Sequence, residues 1–231
     1  RLTQQLMQHI VILTGAGISA ESGLKTFRDS DGLWMGYNIE DVATPQAFEK
    51  NPQLVLDFYN MRRSDVAAAK PNPAHLGLVK LEEKYQTSII TQNIDDLHER
   101  AGSSNVLHLH GEIFKMYSVG RPSVLYDIRT DIKLGDKGED GTQLRPHIVW
   151  FGEAVPMIEK AIELVNDCDI FVVVGTSLQV YPAASLLHYA PPYLPKFIID
   201  KKLPAVSGYE NLTSIEKPAT EGVEDLLKIL M

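Results

Sequence analysis

Cysteine is almost absent from this sequence. Cys168 is the single cysteine among 231 residues, which excludes an intrachain disulfide framework and a cysteine-rich metal cluster. Such low cysteine use fits a reducing compartment, and we expect a cytoplasmic protein. Cys168 itself comes just before a strand-like run, and we interpret it as a small buried residue.

Long apolar runs are also missing, and acidic residues outnumber basic ones. No stretch approaches the roughly 18 to 20 apolar residues that a membrane-spanning helix needs, and residues 1–9 are too polar for the apolar part of a signal peptide. Lysine and arginine total 22 against 30 aspartate and glutamate, a formal net charge of −8. We therefore expect binding neither to anionic membranes nor to nucleic acids.

What is present is an alternation of short apolar strands with amphipathic helices. The strands are predicted at 10–13, 88–91, 148–150, 170–174 and 197–199, and helical periodicity recurs at 74–85, 158–165 and 223–230. Short runs of β-branched residues are typical of parallel strands that are buried on both faces. The alternation predicts an α/β fold with a doubly wound, mostly parallel sheet.

Two stretches interrupt this alternation. Residues 22–69 are far longer than one crossover helix needs, which predicts an inserted helical element. Residues 116–143 are rich in Gly, Asp, Lys and Ser, and they form either a small excursion or a loop. We expect the two insertions to build a smaller module beside one large nucleotide-binding domain.

A glycine motif directly follows the first predicted strand. Gly15, Gly17 and Ala20 satisfy a G-x-G-x-x-A spacing, in which glycines let backbone N–H groups approach a pyrophosphate. A tight turn without a ligand is the alternative interpretation. Hydride transfer is disfavoured, because no strand precedes Glu40 and Asp41, the acidic residues at the distance expected in a dehydrogenase.

Other polar segments follow predicted strands or extended segments. Residues 91–98, 108–112 and 174–177 combine amide, carboxylate, imidazole and hydroxyl side chains. Because carboxyl ends of parallel strands meet at one sheet edge, these side chains are expected around one crevice. Residues 21–29 combine glycine, aromatic and cationic residues, as in a loop that folds over a dinucleotide.

Six blocks of this sequence resemble the sirtuin family of NAD-dependent protein-lysine deacylases, most of all the bacterial type related to mitochondrial desuccinylases. The blocks are 15–23, 26–28, 92–95, 108–112, 146–153 and 175–177. They occur in the family's order, and the resemblance extends from residue 10 to about residue 190. It implies a Rossmann-like large domain, NAD as cofactor, and release of nicotinamide, free lysine and O-acyl-ADP-ribose.

The resemblance implies that His110 is the catalytic base. Imidazole, with an ordinary pKa of about 6.5, suits proton transfer from a ribose hydroxyl near neutral pH. His98, His108 and His147 compete for the role on residue type alone, and alternation places His108 and His110 on one side of an extended segment. The choice of His110 therefore comes from the family motif.

The resemblance also implies the cofactor contacts. Asn93, the second catalytic position, and Asp95 match positions that hold the nicotinamide ribose and carboxamide, and Phe27 would shield the reacting carbon from water. Asp200 stands where the family usually has asparagine, which leaves its ribose contact open. The full expected set is Gly15, Ala16, Gly17, Ser19, Ala20, Glu21, Thr26, Phe27, Arg28, Trp34, Gln92, Asn93, Ile94, Asp95, His110, Gly175, Thr176, Ser177, Asp200 and Ala219.

Substrate choice is implied by Tyr59 and Arg62, which lie three residues apart on a predicted helix whose apolar face carries Leu54, Phe58 and Met61. They match the Tyr-x-x-Arg pair of the desuccinylase subgroup, and a guanidinium beside a phenol can bind a carboxylate. A solvated helix face is the alternative.

The resemblance implies two further features of substrate binding. Ala43 matches the small residue that widens the acyl pocket. The substrate peptide would add as a strand between two segments, which contain Val149, Phe151 and Gly152 on one side and Leu178, Val180 and Tyr181 on the other.

One family feature is missing. Most sirtuins hold a structural zinc through four cysteines in the small module, whereas residues 116–143 contain none. We therefore predict no structural metal. Packing must hold this module together instead, through Val124, Leu125, Tyr126, Ile128, Ile132 and Leu134.

The sequence thus predicts one sirtuin-type catalytic unit, active as a monomer on acyl-lysine proteins or peptides. Its large domain comprises about 1–30, 86–114 and 144–231, and the small module about 31–85 and 115–143. The expected activity is removal of succinyl, malonyl and acetyl groups from lysine. Transfer of ADP-ribose to a protein remains an alternative, as does a non-catalytic sensor of NAD or acyl-lysine, which His110, Asn93 and Asp95 disfavour.

Overall fold

The computed structural model describes residues 7–26 and 34–231. In chain order its strands are β1 (His9–Thr14), β2 (Gln86–Thr91), β3 (Val106–His108), β4 (Gly111–Ser118), β5 (Arg121–Asp127), β6 (Leu144–Ile148), β7 (Ile170–Val174), β8 (Lys196–Asp200) and β9 (Leu212–Glu216). The helices are α1 (Gly17–Ala20), α2 (Ile39–Val42), α3 (Pro45–Lys50), α4 (Pro52–Ala68), α5 (Pro73–Lys80), α6 (Leu97–Ala101), α7 (Ile158–Asn166) and α8 (Ala219–Leu230), with short 3₁₀ segments at Leu81–Glu83 and Ala183–Tyr189.

A six-stranded sheet in the order β3-β2-β1-β7-β8-β9 forms the centre of the molecule, and all its strand pairs are parallel. Strand β1 shows why its sequence is apolar throughout. Ile10 and Ile12 face a core that α5 and α8 cover, whereas Val11 and Leu13 face a second core beneath α7. Alternate residues point to opposite faces, so both faces require apolar side chains. The predicted doubly wound α/β fold is confirmed.

The strand order places the site. From β1 the chain proceeds outward to β2 and β3, whereas β7, β8 and β9 extend from the other side of β1. Connections therefore diverge between β1 and β7, and a crevice forms beyond the carboxyl ends of these two strands. Gly15 follows β1 and Gly175 follows β7, so both glycine turns lie at this crevice.

A smaller unit contains a three-stranded antiparallel sheet in the order β5-β4-β6 together with α2, α3 and α4. Residues 116–143 thus contribute a β-hairpin rather than only a loop. Ile132 and Leu144 pack with Leu56 of α4 in its core. Leu125 and Leu134 do not pack as predicted, because they are 42% and 52% exposed.

Helix α4 begins after Asn51, whose side-chain oxygen accepts a hydrogen bond from the backbone N–H of Leu54.

The buried face of helix α4 differs from the face that the sequence predicted. Phe58, Tyr59 and Arg62 are buried, whereas Met61 is exposed. Residues three and four apart share a helix face, so burying Tyr59 and Arg62 turns Met61 toward solvent.

Several boundaries move in the structure. The run 148–150 is not a strand of the large sheet, because β6 ends at Ile148 and pairs with β4. Ile148 and Trp150 pack on α4 instead. Helix α5, assigned to the small module by sequence, packs against α8 of the large unit. Among the described residues, no helix has the length and apolarity needed to cross a membrane.

Candidate active site

A cavity of about 810 Å³ opens at the carboxyl ends of β1, β2, β7 and β8. Every sequence-predicted site residue within the described ranges lines it except Leu178, which packs against the core beneath α7. The cofactor positions are Gly15, Ala16, Gly17, Ser19, Ala20, Glu21, Thr26, Trp34, Gln92, Asn93, Ile94, Asp95, His110, Gly175, Thr176, Ser177, Asp200 and Ala219, and the substrate positions are Ala43, Tyr59, Arg62, Val149, Phe151, Gly152, Val180 and Tyr181. Phe27 and Arg28 lie outside the described residues.

The glycines of the first turn are required by contact with a second turn. The backbone N–H of Gly15 donates to Val174 at 3.0 Å, and that of Gly17 donates to Gly175 at 2.8 Å. A Cβ atom on Gly17 would lie 2.7 Å from the Cα of Gly175, a backbone atom that cannot move aside. Both N–H groups therefore already donate within the protein, to β7 and to the turn after it.

His110 lines the cavity from the short connection between β3 and β4. Its Nδ1 lies 3.2 Å from the carbonyl oxygen of Gln92. A carbonyl oxygen only accepts, so Nδ1 carries the proton of the neutral ring and Nε2 keeps the lone pair. Burial lowers the pKa of His110, and the Gln92 hydrogen bond partly opposes that shift. The ring is thus a neutral base with one available nitrogen.

The three competing histidines do not line the cavity in the described part of the chain. The Nε2 of His98 is 2.9 Å from Thr14 Oγ1, within the core. His108 Nε2 lies 2.8 Å from Glu99, and this carboxylate raises the pKa of His108 although burial opposes the charged form. His147 packs against an aromatic ring of the small sheet. The sequence pattern placed His108 and His110 on the same side of an extended segment and could not decide between them. In the structure only His110 of the two lines the cavity.

A directed hydrogen-bond chain lies behind the polar end of the cavity. The backbone N–H of Asn72 donates to His75 Nδ1 at 3.1 Å, which places the neutral ring's proton on Nε2, 3.3 Å from Ser19 Oγ. Ser19 then donates to Asp95 Oδ2 at 2.9 Å. Burial raises the pKa of Asp95, although the bonds from Leu97 and Ser19 oppose it. Sequence reasoning missed His75, since nothing near it in the chain indicates its partner.

Two amide side chains join the strand ends. Asn93 Nδ2 donates to the carbonyl oxygen of Gly15 at 3.0 Å, which leaves Asn93 Oδ1 as the acceptor of that side chain. Gln92 Nε2 donates to Thr176 Oγ1 at 3.1 Å. These bonds connect β2 with the turns after β1 and β7, so the amide groups have defined positions at the crevice.

The side chains of Tyr59 and Arg62 are buried at the cavity wall, which rules out a solvated helix face. Arg62 is 8% exposed, and its guanidinium donates to Lys25 O at 3.2 Å and reaches Met35 Sδ at 3.5 Å. Its Nε is buried with no hydrogen-bond partner among the described residues. Burial lowers the pKa of Arg62. Since an unpaired buried donor is costly, this group is suited to an anionic ligand. The small side chain of Ala43 forms part of the same wall.

The opposite end of the cavity lies beside β8 and α8, where Asp200 and Ala219 line it. Pro218, at the start of α8, provides no side-chain cap. Glu21 replaces that cap, because its carboxylate accepts from Thr220 N at 3.0 Å and from Thr220 Oγ1 at 2.6 Å. Lys201 and Lys202 also line this end, and sequence reasoning missed both.

The expected peptide-binding segments line the cavity, but they are irregular chain in the structure. Residues 149–152 follow β6, and residues 177–181 follow β7 without forming a strand. Phe151 and Tyr181 are 46% and 71% exposed, so both stand at the cavity mouth. An extended peptide would have to form its backbone pairing with these segments on binding.

The residues present fit a dinucleotide. The cavity volume is within the 300 to 1,000 Å³ that is typical of small-molecule sites. Amide, carboxylate, hydroxyl and imidazole groups converge at one end, where ribose hydroxyls and a carboxamide can be bound. The doubly wound sheet with this cavity at the point where its connections diverge defines a nucleotide-binding α/β protein.

Comparison with known proteins gives the family. The sequence model of the Sir2 family matches residues 15–182. An NAD-dependent protein deacylase of Helicobacter pylori (strain ATCC 700392 / 26695) is 52% identical over 225 residues, covering 97% of this chain and 98% of that protein. One from Bacteroides thetaiotaomicron is 50% identical over 231 residues, covering 97% of this chain and 99% of that protein. The chain belongs to the Sir2 family.

Solved structures agree with this assignment. A mutant Sir2 homologue in complex with ADP-ribose superposes with a TM-score of 0.88 at 37% identity, covering 99% of this chain and 94% of that chain. A Sir2 homologue in complex with NAD has a TM-score of 0.83 at 36% identity, covering 99% and 91%. Their likeness covers both sheets of the present fold.

Proposed function

We propose that this Sir2-family chain is an NAD-dependent protein-lysine deacylase that accepts succinyl- and malonyl-lysine as well as acetyl-lysine. One observation carries the acyl specificity: the buried Arg62 guanidinium, whose Nε has no hydrogen-bond partner among the described residues, lies beside Tyr59 in the cavity that also contains His110. Relatives at about half identity that are named NAD-dependent protein deacylases support the reaction class.

NAD, when bound, supplies a nicotinamide–ribose bond whose cleavage lets ADP-ribose accept the acyl group. His110 is assigned the role of general base. Its Nδ1 donates to the carbonyl oxygen of Gln92, so the lone pair of Nε2 is the one that can accept a proton. Asn93 Oδ1 is assigned to accept from a ribose hydroxyl or a water molecule. Asp95 and Ser19 are assigned to orient the carboxamide, because their mutual hydrogen bond fixes the carboxylate in the cavity wall.

Arg62 and Tyr59 are assigned to the acyl group. A succinyl or malonyl group ends in a carboxylate, which can accept from the guanidinium and from the phenol. Burial raises the pKa of Tyr59, so its hydroxyl stays protonated and available as a donor. An acetyl group lacks the carboxylate but needs only the remaining volume of the pocket, to which Ala43 contributes a small side chain.

We also propose a setting for this enzyme in the cell. Low cysteine content and the net charge of −8 favour a cytoplasmic enzyme acting on acyl-lysine in proteins, with no role for nucleic acid or membranes. We expect a monomer, since the cavity contains base, amides and acyl-binding pair within one chain.

The test uses three peptides of one sequence that carry acetyl-, succinyl- or malonyl-lysine, each with and without NAD. We expect NAD-dependent removal of all three groups, with nicotinamide released in equal amount to free lysine. Removal of acetyl alone would overturn the acyl specificity. Absence of NAD consumption with every peptide would overturn the reaction class.

A further inference from the structure

We propose that Trp150 is a positioning residue for acyl selection and acts through the hydroxyl of Tyr59. The indole Nε1 lies 3.0 Å from Tyr59 Oη. Both side chains are buried, with 2% and 1% exposure, and both line the cavity. This inference rests on the proposed function, because it concerns how the carboxylate of a succinyl or malonyl group is recognised.

The direction of this hydrogen bond decides its consequence. An indole N–H only donates, so the phenol oxygen of Tyr59 must accept. The phenol hydrogen is then not used toward Trp150, and Tyr59 can donate it to another acceptor in the cavity. A carboxylate only accepts, which matches that remaining hydrogen. Trp150 therefore sets Tyr59 as a donor toward the acyl carboxylate, next to the Arg62 guanidinium.

Two further contacts hold Trp150 itself. The Arg145 guanidinium carbon lies 3.7 Å from the indole ring centroid. Arg145 binds both oxygens of Glu153, at 2.9 and 3.1 Å, and the backbone N–H of Trp150 donates to Glu153 Oε1 at 2.8 Å. A cation over the ring face and a carboxylate on the backbone fix the plane of the indole. The N–H therefore points at Tyr59 in a defined direction.

Acetyl-lysine does not use this arrangement, because it has no carboxylate for Tyr59 to bind. The contribution of the indole N–H should consequently appear in desuccinylation and demalonylation but not in the chemistry that all three substrates share. A purely structural Trp150 would affect every substrate alike. The ratio of the two activities separates these roles.

The experiment replaces the Trp150 indole with benzothiophene by site-specific incorporation, which keeps the ring shape but removes the N–H, and adds Trp150→Phe as a second variant. The readout is kcat/KM on matched succinyl- and acetyl-lysine peptides. We expect the succinyl-to-acetyl ratio to fall about two- to tenfold, the effect of losing one hydrogen bond. In a Tyr59→Phe background the same replacement should cause no further fall in the ratio, because the hydroxyl is already gone.

Equal losses on both peptides, or a full additional fall in the Tyr59→Phe background, would overturn the positioning role. If Trp150→Phe does not fold, the benzothiophene variant decides. Tyr85→Phe is the matched control, since it removes a buried phenol hydrogen bond to Leu230 O away from the cavity, and it should leave the ratio unchanged. Arg62→Met separates the two proposals: an unchanged ratio there overturns the carboxylate site itself, whereas a fall there with an unchanged ratio at Trp150 overturns only this inference.

Discussion

Nδ1 of His110 lies 3.2 Å from the carbonyl oxygen of Gln92, and this contact decides which ring nitrogen can act as a base. The carbonyl can only accept, so Nδ1 donates to it and Nε2 remains available. Burial lowers the pKa of His110 from its ordinary 6.5. The same backbone contact therefore selects both the tautomer and the nitrogen that faces the chemistry.

The first prediction concerns the pH dependence of kcat/KM. Protonation of His110 would remove the base, and a lowered pKa keeps the ring neutral to a lower pH than in free imidazole. We expect the acidic limb of the profile below pH 6.5, since the pKa of His110 is lowered from that value. Initial rates on an acetyl-lysine peptide across pH 5 to 9 test this. An acidic limb centred above pH 7 would contradict the assignment.

The second prediction concerns His110→Ala. Loss of a general base costs about 10² to 10⁴ in turnover, while binding of the acyl peptide, measured by fluorescence anisotropy, should be largely kept. His188→Ala is the control, because His188 is an exposed histidine outside the cavity. Turnover of His110→Ala near the wild-type rate would remove this residue from the mechanism.

The third prediction concerns Arg62→Met. Methionine keeps the length and apolar packing of the side chain but cannot bind a carboxylate, so kcat/KM should fall far more for succinyl-lysine than for acetyl-lysine. Arg63→Met is the matched control on the same helix: Arg63 is buried but outside the cavity, and it donates to Ile113 O at 3.0 Å. It should lower stability without shifting the ratio. Equal losses of both activities in Arg62→Met would count against the acyl assignment.

Much of the fold follows from local pattern. Strands β1, β2, β7 and β8 are runs of apolar or β-branched residues, because parallel strands covered on both faces need them. Strands β3 and β9 escaped prediction, since an edge strand is half exposed and β9 contains Thr213 and Ser214. The prediction of a strand at 148–150 is wrong, because burial against a helix and burial in a sheet select the same residue types.

The site was less accessible from sequence. Its motif residues were grouped through a family resemblance, whereas the partners that orient them come from distant parts of the chain. Trp150 binds Tyr59 across 91 positions, and His75 meets Ser19 across 56. No local spacing encodes such contacts, which exist only once α4 and α5 have packed beside the sheet.

The fourth prediction concerns the stability contributed by His75. Burial, aided by the charge of Arg100, lowers the pKa of this histidine from 6.5 to about 4. Above about pH 6.5 it is neutral in both states. As the pH falls from there to about 4, His75 becomes protonated in the unfolded chain but stays neutral in the folded chain. The free energy of unfolding therefore falls by about 3 kcal/mol.

Urea unfolding at several pH values between 7.5 and 4.5 measures this slope. His75→Gln, which cannot titrate, should show a shallower loss of stability on acidification than the wild type does. His188→Gln, a substitution at an exposed histidine outside the cavity, is the control variant. Identical slopes in the wild type and His75→Gln would show that His75 is not held neutral by the fold.

The most direct test of the account follows the ADP-ribose part of NAD. The protein is incubated with a succinyl-lysine peptide and NAD labelled in the adenine ring. The products are then separated and identified by mass spectrometry. Joint action of His110 and Arg62 in one cavity predicts labelled O-succinyl-ADP-ribose in solution, together with free lysine peptide and nicotinamide. Label that stays on protein, or NAD that remains intact while peptide is bound, would contradict it.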